Sequence, residues 1–225
     1  MKKNDIYNDE LGENHIATSV KTPLREDAFA ISDEAKKKQI ESSFTDIMET
    51  LGLDLTDDSL KGTPRRVAKM FIDELFSGLN PANKPKLSVF NNAFNYDEML
   101  VEKNITLYAT CEHHFLPIIG VAHVAYFSSG KIIGLSKMNR IVDYFARRPQ
   151  VQERLNKQIV AELQEALETK DVACLIDASH LCVNSRGVRD TKSTTITAIY
   201  GGKFNDDAVK QEFLSHIQLN TNEDK

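Results

Sequence analysis

Residues 99–127 read MLVEKNITLYATCEHHFLPIIGVAHVAYF. Ile, Val, Leu and Tyr crowd Met99 to Thr110 and again Phe115 to Phe127. Such β-branched and aromatic side chains fit the pleated surface of a strand, so both stretches are predicted strands. Pro117 and Gly120 predict an irregular start to the second one. Between the two stands Thr110-Cys111-Glu112-His113-His114, where a thiol and two imidazoles follow directly on a strand end.

Outward from this hairpin the period changes. Ser128 to Lys131 predicts a turn, and Ile132 to Leu135 a short extended piece. Helical spacing returns with Ile141, Tyr144 and Phe145 and breaks at Arg148-Pro149. A longer helix follows, with Val151, Leu155, Ile159, Leu163 and Leu167 on one face. Val172 to Asn184 and Thr191 to Tyr200 read as two more strands, joined by a loop containing Gly187, and Asp206 to about Ile217 reads as a last helix. On the amino-terminal side, Ile40, Phe44, Ile47 and Leu51 form one stripe of a helix from Asp33 to Leu53, stopped by Gly52. A second helix starts at Thr63-Pro64, carries Val67, Met70, Phe71 and Leu75 on its stripe, and ends near Gly78. Hairpin-like strand neighbours with helices between them predict an α+β fold, an antiparallel sheet with helices on one face. The organisation is a flexible polar arm over 1–35, with eight acids up to residue 34 and no apolar period, a helical region over 36–95, and a sheet-and-helix domain over 96–220.

A chain of 225 residues with 41% hydrophobic and 27% charged residues has ample material for a core, which excludes disorder as a whole. No apolar run reaches the roughly 18 residues of a membrane helix, so no membrane partner is expected. Met1-Lys2-Lys3-Asn4-Asp5 has no apolar block, and a cytoplasmic location is expected. The net charge of −5 argues against a nucleic-acid partner. Three cysteines do not make a disulfide framework, and thiols near histidines point to a metal.

Cys111 and His114 are three apart, which lets both reach one ion from a tight turn. A third soft ligand is available in Ser179-His180-Leu181-Cys182. On a strand His180 and Cys182 point to the same face. Cys111, His114 and Cys182 make a Cys2His set with an open fourth position, the catalytic pattern for zinc, which supplies hydroxide at neutral pH. His113 and His180 are then natural proton carriers. A closed structural site drawing also on His113 or His180 uses the same residue types, and spacing alone does not choose between them. Cys174, eight residues from Cys182, is expected to be a core thiol, and His123 a packed or interface residue.

Leu135-Ser136-Lys137-Met138-Asn139-Arg140 opens the first inner helix. Ser136, Lys137, Arg140 and free N–H groups at a helix start make a phosphate site. Arg186 lies on a loop just past Cys182, and Arg66 on the second outer helix is a further candidate. Gln152 and Glu153 begin the longer helix, where a carboxylate favours the helix dipole. Glu153 also matches the N1–H and exocyclic amine of a guanine. Neither a P-loop nor a Gly-x-Gly-x-x-Gly run is present.

The runs Cys111-Glu112-His113-His114-Phe115, Gly134-Leu135-Ser136-Lys137, Asn139-Arg140, Arg148 to Arg154, and His180-x-Cys182 with Arg186-Gly187 resemble GTP cyclohydrolase I, as does Gly62 to Met70. The resemblance covers roughly residues 38 to 218. It implies the T-fold, a four-stranded antiparallel sheet with two inner helices, whose subunit sheets join into a barrel and whose pentamers pair into a homodecamer with shared active sites. It implies conversion of GTP and water to formate and 7,8-dihydroneopterin triphosphate, the first step of tetrahydrofolate and pterin biosynthesis. By resemblance Cys111, His114 and Cys182 hold Zn2+, His180 protonates guanine N7, His113 assists later proton transfers, and Ser136 lies near the ribose. Lys137, Arg140, Arg186 and Arg66 would grip the triphosphate, and Glu153, helped by Gln152, the pyrimidine edge. The alternative is a catalytically inactive T-fold module that binds a purine nucleotide.

Overall fold

The computed structural model describes residues 19–219. The expected flexible arm falls partly outside them. Its described part, 19–32, leads into helix α1 (Asp33–Thr50), where the Ser32 hydroxyl caps the amino terminus by accepting from Ala35 N. Helix α2 (Thr63–Met70) starts with Pro64 in its first turn, as the sequence predicts. It does not run on to Gly78 as one α-helix: a π-helical turn (Phe71–Leu75) and a 3₁₀ turn (Ser77–Leu79) replace its end. The predicted stripe of α1 is also only half used. Met48 is its buried residue, while Ile47 and Leu51 stay exposed on the single chain.

A short strand β1 (Val89–Asn91), absent from the sequence reading, pairs with β4 (Lys131–Ile133). The main sheet is built from β2 (Leu100–Cys111), β3 (Pro117–Tyr126), β6 (Val172–His180) and β7 (Thr195–Tyr200), all antiparallel neighbours. A two-residue strand β5 (Pro149–Gln150) adds to the outer edge of β2 in parallel, so the sheet has five strands rather than four. Helices α3 (Leu135–Ala146) and α4 (Gln152–Leu167) cover one face of this sheet, and α6 (Asp207–Gln218) covers part of the other. The fold is thus α+β, as the strand and helix order predicts.

Alternation decides which strand residues reach the helices. Ile105, Leu107, Ala109 and Cys111 of β2 are buried toward α3 and α4, while Thr106 and Tyr108 face away. A bulge between Glu102 and Ile105, with Asn104 at φ 57°, shifts this parity: Val101 packs with the α6 side instead. On β6 the even-numbered residues Val172, Cys174, Ile176 and Ala178 face α3 and α4. Cys174 is fully buried there, and burial pushes its thiol pKa up, as a core thiol requires.

The predicted strand over 172–184 stops at His180, and Leu181–Asn184 forms one helical turn, α5. The reason lies in the neighbours. His180 pairs with Ile118, and the next residue of β3 is Pro117, which has no N–H to donate. On the other side β7 has already ended, with Thr195 opposite Ala178. The fourth strand accordingly begins at Thr195, not at residue 191.

The helical region docks by backbone contact. Gly78 N donates to Arg147 O, and Arg148 Nε donates to Gly78 O. A Cβ at Gly78 would lie 2.0 Å from Tyr144 O, so only glycine allows this approach.

Candidate active site

Cys111 ends β2 on the helix-facing side, and the chain then closes on itself. Cys111 N donates to Leu116 O and Phe115 N to Cys111 O, which makes a tight turn of Glu112 to Phe115. Phe115 takes φ 53°, a costly backbone for a bulky residue, and its ring packs on Phe76 at 5.3 Å and Phe71 at 6.4 Å between centroids. The turn is pinned from a second side as well. Glu112 N donates to Gln150 O, and the Glu112 carboxylate accepts both Nη atoms of Arg154, a side chain only 3% exposed.

This turn brings His114 to Cys111, and α5 brings Cys182. One ligand atom from each of the three lies within 4.8 Å of the others. The sequence put Cys182 on a strand beside His180. It is the helical turn that swings its thiol toward Cys111 instead. The Cys182 thiol pKa is raised first by burial and then by the neighbouring Cys111, with Arg186 pulling the opposite way. Two thiols and an imidazole so placed fit a cation, because only a central positive charge makes both thiolates favourable. Arg186 Nη1 donates to His114 Nε2 at 2.9 Å, so a guanidinium stands against the ligand group.

A cavity of about 520 Å³ opens beside the thiols. Cys111, Cys182, His113, His180, Gln152 and Glu153 all line it. His180 is the last residue of β6 on the helix side, and its Nε2 lies 2.8 Å from Gln152 Oε1. The orientation of that amide is fixed, since Gln152 Nε2 donates to Ile176 O, Thr195 O and Thr197 Oγ1. Oε1 therefore accepts, and His180 carries a hydrogen on Nε2. Burial lowers the His180 pKa and the Glu153 carboxylate opposes the shift. Gln152 is 2% exposed, lines the cavity, and meets protein acceptors through Nε2. Sequence reasoning assigned it to the substrate.

The anion-binding residues are divided. Arg186 reaches the metal-ligand group through His114. Ser136, Lys137, Arg140 and Arg66 do not line this cavity on the same chain. Arg140 borders a separate cavity of about 530 Å³ together with Asn139, Asp143 and Arg147. Arg66 donates to Ser59 O and Thr63 Oγ1. The start of α3 carries no side-chain cap from Gly134, which leaves its first N–H groups without that partner. Two functional features escaped the sequence reading. The Glu112–Arg154 pair spans 42 residues, and no local pattern announces it. Ser19 and Val20 also line the cavity, although the arm they belong to shows no periodicity.

Paired thiols and an imidazole at a strand end, with a second histidine and a carboxylate in the same cavity, define a metal-dependent enzyme on an α+β fold. The chain belongs to the GTP cyclohydrolase I family, whose pattern matches residues 40–218. It is 63% identical over 221 residues to the GTP cyclohydrolase 1 of Flavobacterium johnsoniae, covering 98% of this chain and 99% of that protein. It is 53% identical over 203 residues to the GTP cyclohydrolase 1 of Aeromonas salmonicida, covering 90% of this chain and 92% of that one. The protein of the same name from an Enterobacter species is 51% identical over 204 residues, 90% of this chain and 92% of its own. Among the described residues no helix is long and apolar enough to cross a membrane.

Proposed function

We propose that the chain converts GTP and water to formate and 7,8-dihydroneopterin triphosphate, with Zn2+ held by Cys111, His114 and Cys182. The observation that carries this reading is the donor triangle opening onto one cavity with His180 and Glu153. Bound zinc lowers the pKa of a water to about 7 and so supplies a nucleophile at neutral pH.

The chain's own residues do the rest. Glu153, exposed at the start of α4, accepts the N1–H and exocyclic amine of guanine, a pairing that no other common base offers in full. His180 donates a proton to guanine N7, which makes C8 electrophilic. Its Nε2–H is held by Gln152, so the nitrogen that faces the base is Nδ1, and the transfer runs from the imidazolium, which carries its second hydrogen on Nδ1 and returns to the neutral ring as N7 takes that proton. His113, on the cavity wall, moves protons in the later ribose rearrangement. Arg186, whose guanidinium stands beside His114, would grip the phosphates.

Ser136, Lys137, Arg140 and Arg66 act on a neighbouring subunit's substrate, one reason the working form is a homo-oligomer, two pentamers forming a decamer. Support comes from their not lining the cavity on the same chain and from apolar residues that one chain leaves uncovered, Tyr108, Ile119 and Ile196 on the sheet among them. Subunit mixing tests both parts. Cys182→Ser chains and Lys137→Ala chains each release little formate from GTP. Co-assembled in equal amounts they recover about a quarter of normal turnover, because one site in four pairs an intact cavity with an intact grip. No recovery on mixing would contradict shared sites.

A further inference from the structure

Before the family match begins at residue 40, the chain already touches the cavity. Ser19 and Val20 line it together with Glu153, Arg154 and Lys157. This stretch has no helix or strand of its own, and side chains of the T-fold half of the chain hold it in place. Arg154 Nε donates to Ser19 O at 2.8 Å, and Gln158 Nε2 to Val20 O at 2.8 Å. Arg148 Nη1 and Gln158 Nε2 both reach Thr22 Oγ1, at 3.2 and 3.3 Å. Arg154 and Gln158 are 3% and 7% exposed. Burying such groups is costly unless their donors are met, and these donors are spent on the arm's backbone. The same Arg154 holds Glu112, next to the metal ligand Cys111, so one guanidinium fastens the arm segment and the metal turn together.

We propose that Ser19 and Val20 form a wall of the nucleotide cavity, a substrate-binding element beside Glu153 that confines the purine end of GTP. The inference rests on GTP as the substrate. It assigns to the arm a part in binding, not in the proton transfers, which His180 and His113 perform.

The test compares two zinc-loaded proteins, the full chain and the full chain lacking residues 19–23, in formate release against GTP concentration. Loss of the wall raises KM for GTP about tenfold in the shorter protein. Its kcat stays within about twofold and its zinc content is unchanged, a split that a general loss of structure would not give. Equal KM in two active proteins would overturn the inference alone. No formate from the longer protein would overturn the GTP reading and the inference with it. Should the shorter chain not fold, Val20→Cys in the His180→Ala background, where GTP binds without turnover, gives a second reading. GTP then slows alkylation of the new thiol about fivefold or more, and no slowing overturns the proposal.

Discussion

Replacing Gln152 by Met removes the acceptor that orients His180 and leaves an unbranched side chain of similar length. The amide is 2% exposed and bonds His180 Nε2 at 2.8 Å through Oε1. Its other end bonds Ile176 O and Thr195 O, at 3.1 and 2.8 Å. A buried carbonyl left without a donor costs about 1–3 kcal/mol, and of the two only that of Ile176 is fully buried, so the variant loses roughly 1–3 kcal/mol of stability. Catalysis suffers separately. A positioned general acid contributes about 10²–10⁴-fold, and an imidazole free to rotate forfeits part of that. A loss of about 1.4–3 kcal/mol in the transition state lowers kcat roughly 10- to 150-fold. KM stays within about twofold, because the amide holds protein groups and not GTP. The assay is formate release against GTP concentration on zinc-loaded protein below its unfolding temperature. A normal kcat with a KM raised more than about tenfold would refute this reasoning. It would place Gln152 on the purine, as the sequence alone suggested.

Further outcomes follow from the metal group and from the buried histidine of β3. Cys182→Ser removes zinc and turnover together. Cys182 is only half-buried, so the fold survives, and metal analysis beside circular dichroism checks both. His123 is 4% exposed, and its pKa is lowered by burial first and by Lys103 as well, against the pull of Asp177. Its folded pKa thus lies below the ordinary value of about 6.5, and the unfolded chain takes up the proton first as pH falls. Its contribution is therefore full above about pH 6.5 and is lost as the pH drops below that value. His123→Gln flattens this acid limb in denaturation midpoints measured between about pH 7.5 and 5, and equal slopes in the two proteins would contradict the sign.

The long elements were legible because β-branched and aromatic residues crowd β2 and β3, β6 is a nearly continuous apolar run, and the stripe of α4 names its own buried face. What escaped were features set by a neighbour. The end of β6 depends on Pro117 standing across from Leu181, and β1 has only three residues. The Asn104 bulge changes which face Val101 reaches without altering composition. The same holds for the site. Ligand types at Cys111, His114 and Cys182 are visible in the chain, and the structure brings those three together. Their geometry rests on a helical turn at Leu181–Asn184 that strand parity did not foresee. Gln152 was singled out, but its use depends on three acceptors that come from β6 and β7. Arg154 was quoted only as part of a motif, since its partners Glu112 and Ser19 lie 42 and 135 residues away.

The central claim is that these residues open the guanine ring of GTP with a metal held by Cys111, His114 and Cys182. Its most direct test is a turnover assay with GTP on zinc-loaded protein, following formate and the fluorescent oxidised pterin, with and without a chelator. The account predicts that both products form, that both vanish on chelation, and that both return with zinc. GTP bound without either product would contradict it and favour a nucleotide-binding module without catalysis.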